Sequence, residues 1–319
     1  MKGDEQEDDR TLKTLTKISH GYYQPYFYWM FPILVAREQH LFEQDGIELD
    51  VHDIVPQGQP EGKAQWYKEA FETKSRDFYF CCAWQGIYST SETGRGLIGA
   101  ALKSSLIKTF AIYTRPDTRI NSVLDLIESG TPIAVNKNAD AHYVTLKNLS
   151  EFVPEERVRL SHVGGVERCF KALMSKEVDA ATLAGPYAEA AEAIGYRRVL
   201  ALSRTEPTVV VFNEKLGHDA LTAFVKSING AITLINAERE KYRRRYVKEF
   251  EEVIDRYLPE LKASRSAVAS RLTLPVWAEA RTLQKEEFLQ IHSFLLEHGL
   301  TQEGRGYSGT VDVSAAASY

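Results

Sequence analysis

PILVAREQHLFEQDGIELDV, residues 32–51, changes period part-way. Up to Gly46 the apolar residues recur at helical spacing, and a glycine just past the last of them is a natural helix stop. From Ile47 the pattern alternates, as a strand with one face inward does. The stretch predicts a helix over 31–46 and a strand over 47–54. LTKIS (15–19) upstream reads as a strand as well. A strand, a helix and a second strand make a parallel unit, and that unit sets the class as α/β.

The same pattern continues in both directions. KAQWYKEAFET (63–73) reads as a helix, DFYFCC as a short buried strand, AWQGIYSTSE as a helix and LIGAAL as a strand. After TFAIYTRP (109–116) it restarts: VLDLIES, DAHYVTLKNLSEF, GVERCFKALMSKE and PYAEAAEAIG read as helices. TPIAVN, RVRLSHV, VDAATLAG and RRVLAL read as the strands between them. EPTVVVFNEKL (206–216) is a further extended segment, and everything beyond it reads as helical. Two lobes are therefore expected, residues 12–108 plus 213–319 and residues 109–212, each built on a βαβ sheet. The extended segments 109–115 and 207–212 are read as the connections that cross between them. Ligands of open α/β sheets sit beyond the carboxyl ends of the strands, and two such lobes can face those ends across one cleft.

Composition narrows the partners. The chain has 319 residues, 44% apolar and 26% charged, with a net charge of -5. It lacks the basic excess that nucleic acid requires. The run KYRRRY (241–246) stands between acidic residues and reads as a solvated helix face. The acidic first residues, MKGDEQEDDR, are unlike a secretory leader, and no stretch is read as a membrane span. A cytosolic protein is the expectation, or a periplasmic one if a leader has been removed. Cys81, Cys82 and Cys169 have no metal-binding or redox spacing and read as reduced thiols, and the eight histidines are scattered. No metal or cofactor is expected.

Candidate site residues gather where strands end. ISHGYYQPYFYWM (18–30) carries six aromatic side chains in thirteen residues, at a strand-to-helix turn. Its rings serve either as a cleft wall, the reading open for Tyr22 and Tyr23, or as core, the reading preferred for Tyr26, Phe27, Tyr28 and Trp29. In NKNADAHY (136–143), Asn138 or Asp140 is the expected N-cap, and the free N–H groups of the next turn suit a carboxylate, sulfonate or phosphate. The GG of VGGVERCF, with Gly165 at the helix start and Arg168 as counter-charge, offers a similar place. Ordinary capping accounts for both patterns as well.

Three stretches carry a family resemblance: residues 32–51, IYTRPDTRINSVLDLIESGTPIAV (112–135) and GGVERCFKALMSKEVDAATLAGPY (164–187). In this order and spacing the chain resembles the type II periplasmic-binding-protein fold, and within it the branch of sulfonate- and nitrate-uptake binding proteins and thiamine-pathway pyrimidine synthases. The resemblance implies two hinged lobes with the ligand between them. By position it implies contacts from His20, Tyr22, Tyr23 and Gln24 after the first strand, and from Trp84 and Gln85 at the AWQG turn. It implies further contacts from Asn138, Asp140, His142 and Tyr143 before and within the DAHY helix, and from Pro186 and Tyr187 at the GPY turn. Tyr23, Gln24 and Pro25 are similar to a WQP turn of the pyrimidine synthases, where the ring stacks on a planar ligand. The catalytic CCCFC segment of those synthases is missing, as are the cysteine after the first strand and the Arg-x-Gly-Gly turn of the desulfinases. The expectation is a binding protein for a small planar or anionic molecule. The alternative is an enzyme on the same fold, a decarboxylase, desulfinase or pyrimidine-synthase-like lyase acting on a small aromatic or heterocyclic acid. His20 is its candidate acid or base, titrating near neutrality; a hydrogen-bonded structural histidine is the competing reading.

Overall fold

The computed structural model describes residues 15–53, 71–73 and 76–313. Most of the helix expected over 63–73 lies outside the described residues. β1 (Thr16–Tyr22) and β2 (Ile47–Asp53) pair in parallel along their whole length, from Thr16 opposite Ile47 to Tyr22 opposite Asp53. α1 (Phe27–Glu38) joins them, followed by a short α2 (Leu41–Gln44). The single helix expected over 31–46 is thus divided, because His40 turns into the left-handed region with φ 55° between the two pieces. Gly46 ends the second piece at φ 84°, as its position predicts.

β1 continues into a second group of strands. The Asp77 backbone N–H donates to the Ser19 carbonyl at 2.9 Å, and the Ser19 N–H donates to the Asp77 carboxylate at 2.8 Å. Beyond this contact β10 (Thr208–Phe212) lies between β3 (Phe78–Cys82) and β4 (Leu97–Leu102), antiparallel to both. The segment 207–212, expected as a connection, is therefore the central strand of this sheet. TVVVF is buried at all five positions, which a β-branched run achieves with neighbours on both edges.

The second sheet runs β7 (Leu160–His162), β6 (Ile133–Val135), β8 (Ala180–Leu183), β5 (Ala111–Thr114) and β9 (Arg197–Ala201). β6 is parallel to β7 and β8, and β5 is antiparallel to β8 and β9. Since β5 and β10 each belong to a sheet, the chain passes between lobes in the short stretches 103–110 and 202–207. α3 (Ala83–Thr93) lies between β3 and β4 and packs on their sheet, and the helices of the second-sheet region are α4 (Val123–Ser129), α5 (Asp140–Leu149), α6 (Val166–Met174) and α7 (Pro186–Ala193).

α8 (His218–Ala237), α9 (Arg239–Tyr257), α10 (Arg265–Arg271), α11 (Lys285–Glu297) and α12 (Tyr307–Thr310) follow. This region is not helical throughout. Residues 273–284 run extended beside β4, where Arg281 and Ala101 exchange backbone hydrogen bonds of 2.7 and 2.9 Å. Pro275 has no N–H to continue a helix, and the β4 edge supplies partners instead. α8 is apolar and long enough, by length and composition, to cross a membrane, which the sequence reading did not expect of any stretch. Here its Leu221, Phe224, Ile228 and Ile232 are buried in the core with Phe31 and Phe42. KYRRRY is also less solvated than expected. Tyr242 and Tyr246 are buried, Arg245 pairs with Glu38 and Glu249, and the nearby Arg239 donates to the Leu274 and Pro275 carbonyls.

Candidate functional site

The turn after β1 enters a one-turn 3-10 helix, Gln24–Tyr26, with Pro25 holding its start. Here the first lobe meets the second. The half-buried Tyr23 donates from its hydroxyl to Glu167 Oε1 at 3.0 Å, and its ring stands edge-on between Tyr26 and Tyr257. Burial and the Glu167 charge push the Tyr23 pKa far up, so the phenol stays a donor. Gln24 is buried; its Nε2 donates to Glu252 at 3.0 Å, while its Oε1 has no hydrogen-bond partner among the described residues. The Tyr187 hydroxyl donates across the lobes to the Pro25 carbonyl at 2.8 Å. Gly185, before Pro186 at the start of α7, sits at φ 57°, and a Cβ there would meet Tyr28 at 2.8 Å. The glycine lets the Tyr28 ring close onto the second lobe.

Glu167, in the first turn of α6, is the residue that faces the first lobe. It is 6% exposed, and its Oε2 has no partner among the described residues. Burial raises its pKa, against the hydrogen bond from Tyr23, the backbone N–H groups of Arg168 and of Glu167 itself, and the Arg168 charge. Arg168, the expected counter-charge, has its side chain 46% exposed, 3.8 Å from Glu167 Oε1. Gly165 does not offer an open helix start. A Cβ there would come within 1.8 Å of the Tyr26 hydroxyl and 2.9 Å of Glu167 Oε2, so the first lobe covers that backbone.

The start of α5 also differs from expectation. Its N-cap is Ala139, without a side-chain cap. Asn138 instead takes the left-handed conformation at φ 58°, and its N–H donates to His142 Nδ1 at 3.2 Å. Asp140 Oδ1 accepts from the Ala141 N–H at 2.9 Å, and Oδ2 lies 3.5 Å from Arg204 Nη1. The anion expected at this helix start is thus the protein's own carboxylate. His142 is buried and neutral, its pKa lowered to about 4 by burial and then by Lys137.

Arg204 follows β9 and sits between the lobes. Its guanidinium lies 5.3 Å from the Trp29 ring, 5.9 Å from Trp84 and 4.9 Å from Phe110, and its Nη2 has no partner among the described residues. Such a cation over rings is attracted by their faces. Trp84, in the first turn of α3, lies 5.9 Å from the Tyr143 ring of α5. Beside it the Gln85 N–H donates to the capping Cys82 Sγ at 3.4 Å, while Gln85 Nε2 and the Tyr143 hydroxyl have no partner among the described residues. The Tyr28 hydroxyl, bonded to the Trp29 side chain, has Asp140, Glu167 and Arg204 as its charged neighbours, which joins the two ends of the site.

His20 and Tyr22 lie apart from this group. Tyr22 is 9% exposed, in a hydrophobic cluster that runs through both lobes. His20 stacks on Phe78 at 4.3 Å, and its Nδ1 donates to the Phe78 carbonyl at 3.0 Å. Its pKa does not lie near neutrality. Burial first, then Arg76, lowers it to about 3, so the ring is neutral. Its described neighbours all belong to the first lobe. The structure therefore links Tyr23, Trp84, Asp140, Tyr143 and Tyr187 through contacts that also involve Trp29, Phe110, Glu167 and Arg204, which sequence reasoning left out, while Gln24 and Gln85 stand next to Tyr23 and Trp84 in the chain. No group of His, Cys, Asp and Glu among the described residues is placed to hold a metal ion.

The overall architecture has solved counterparts. The alkanesulfonate-binding protein SsuA from Xanthomonas axonopodis pv. citri, bound to MOPS, superposes with a TM-score of 0.69 at 14% identity, covering 94% of this chain and 97% of its own. The chain has the type II periplasmic-binding-protein fold. The periplasmic aliphatic sulphonate binding protein SsuA from Escherichia coli gives 0.66 at 14% identity, over 92% of this chain and 97% of that one. The conserved Candida albicans CA3427 gene product, described as having the generic periplasmic binding protein fold, gives 0.64 at 11% identity, over 94% and 97%. No protein-family profile matches the chain. No curated protein matches it either. At these identities the likeness is one of fold.

Proposed function

We propose that the chain is a binding protein that takes a small planar molecule between its two lobes. One observation carries the reading. Gln24 Oε1, Gln85 Nε2, Tyr143 Oη, Glu167 Oε2 and Arg204 Nη2 are buried polar atoms from five segments of both lobes, each without a hydrogen-bond partner among the described residues. An unpaired buried polar group costs about 1–3 kcal/mol. A molecule with matching groups would remove that cost at several points together, and the half-buried rings of Trp29 and Tyr23 offer flat surfaces beside them. Solved proteins of this fold that bind sulfonates support the same use of the fold. The lobes of this reading are residues 12–108 plus 213–319 and residues 109–212, with 208–212 transferred to the first. A cytosolic place does not follow from the fold, which a protein described as periplasmic shares. For the enzyme reading, His20 is the candidate acid or base, and with its pKa lowered to about 3 it is unprotonated at neutral pH and so does not supply the acid.

Native mass spectrometry of protein purified from its own host tests the proposal. The expected result is a retained small molecule. Gln85→Ala and Tyr23→Ala should each weaken its binding by about 1–3 kcal/mol, with less loss of stability than truncating a core ring. A protein that carries nothing, and whose melting temperature no fraction of a host metabolite extract raises, would overturn it.

A further inference from the structure

We propose that the molecule held between the lobes turns a hydrogen-bond-donating nitrogen, of the amine or amidine class, toward Glu167, and that this end of the site rejects carboxylates and sulfonates. The inference rests on the between-lobe site proposed above and specifies its ligand.

Helix starts ordinarily favour anions, because their free N–H groups and the helix dipole point positive charge outward. In the second lobe this chain has placed its own carboxylates there. Asp140 is the first residue of α5, bonded to the Ala141 N–H, and Glu167 is the second residue of α6. An incoming anion would meet negative charge where a bare helix start would have held it.

The unpartnered atoms at the Tyr23 end are acceptors. Glu167 is 94% buried by its 6% exposure; Oε1 takes the Tyr23 hydroxyl, and Oε2 is left. Gln24 is the neighbour of Tyr23 in sequence and 8% exposed. Its amide nitrogen is committed to Glu252, so the atom left over is again the oxygen. Two buried acceptors, one of them a carboxylate, are satisfied by N–H donors and repelled by another anion. Arg168 pairs with Glu167 from the solvent side, its side chain 46% exposed and 3.8 Å from Oε1, which leaves Oε2 without a hydrogen-bond partner among the described residues. Arg204, with Lys147 beside it over the Trp84 ring, puts positive charge at the other end, among Trp29, Trp84 and Phe110. The ligand thus has a donor end and, toward Arg204, an acceptor end. Burial raises the Glu167 pKa, so a cationic donor binds more tightly as rising pH ionises the carboxyl.

Matched planar probes test this: benzamidine against benzoate and benzenesulfonate, and 4-aminopyridine against the corresponding pyridine carboxylate and sulfonate. Binding is followed by melting temperature, tryptophan fluorescence and calorimetry. The nitrogen donors should bind roughly tenfold or more tightly than their acidic partners, and Glu167→Gln should remove most of that difference. Glu167→Gln keeps the shape and drops a buried charge, so it should fold. Wild-type benzamidine affinity measured between pH 4 and 8 gives a second reading that needs no variant, and it should rise with pH. Tighter binding of the sulfonates, or an unchanged preference in Glu167→Gln together with pH-independent benzamidine binding, would overturn the charge assignment while leaving the between-lobe site standing. Failure of every probe, acidic and basic alike, would overturn the planar site itself and the inference with it.

Discussion

His20 couples acidity to stability although its described neighbours all belong to the first lobe. Its pKa is about 3 in the folded chain and near 6.5 when exposed. Between those values the unfolded chain binds a proton that the folded one refuses, so stability is lost as pH falls from 6.5 toward 3. His142, at about 4, acts with the same sign. Urea unfolding of the wild type should show a loss of about 2–3 kcal/mol from His20 alone between pH 6.5 and 4. His20→Gln should flatten that slope, and an equally steep one would refute the assignment. At this scale the position of Tyr23 and Gln24 at the turn after the first strand was readable. The sequence misled at Arg168. One step along a helix rotates a side chain by about 100°, and the buried position at the start of α6 is Glu167, one residue earlier. Arg204 left no signal, because it stands in an irregular stretch after β9 where no period applies.

At the scale of elements, the contact between the 3-10 turn Gln24–Tyr26 of the first lobe and α6 of the second depends on a missing methyl. Gly165→Ala would place a Cβ 1.8 Å from the Tyr26 hydroxyl, so either the ring or the lobe must move. We expect a loss of about 1–3 kcal/mol in thermal unfolding, part of it recovered in the double variant Gly165→Ala, Tyr26→Phe, where Tyr26 Cζ and Glu167 Oε2 still stand 2.9 Å from the Cβ. An equal penalty in both backgrounds would place the strain elsewhere. The order of strands and helices was legible from period and stop signals, and the individual elements stand close to their expected places. Two kinds of feature were not. The divisions at His40 and Glu238 occur inside patterns that read as continuous helix, because apolar spacing survives a one-residue break. The role of 207–212 was misread because a buried run looks the same whether it links two sheets or fills the middle of one. Only the pairing of Thr208 with Cys82 on one side and Leu102 on the other decides it.

At the scale of the whole molecule, Glu189 ties α7 to the extended segment of the first lobe, accepting from the Thr273 N–H at 3.1 and 3.3 Å. Burial raises its pKa to about 7, with Thr273 and Arg243 pulling the other way and Glu192 adding to the rise. The folded chain therefore holds a proton that the unfolded chain has released between pH 4.5 and 7, and this contribution declines as pH climbs through that window. Glu189→Gln should stay level where the wild type weakens, so the variant gains about 1–2 kcal/mol on the wild type between pH 5 and 8; parallel melting curves would count against it. The position of β10 has a different consequence, one of timing. Strands β5 to β9 are complete within residues 111–201, whereas β3 and β4 acquire their shared partner only when residues 208–212 follow. During synthesis the later lobe can close while the earlier one still waits with open edges. Residues 109–203 expressed alone should fold cooperatively, and residues 12–108 alone should aggregate or remain unfolded, as circular dichroism and sedimentation would report. A folded, monomeric 12–108 fragment would contradict this order. The part of the chain made first is then the part most exposed to misassembly, and its protection comes from the strand that arrives after its companion lobe is finished.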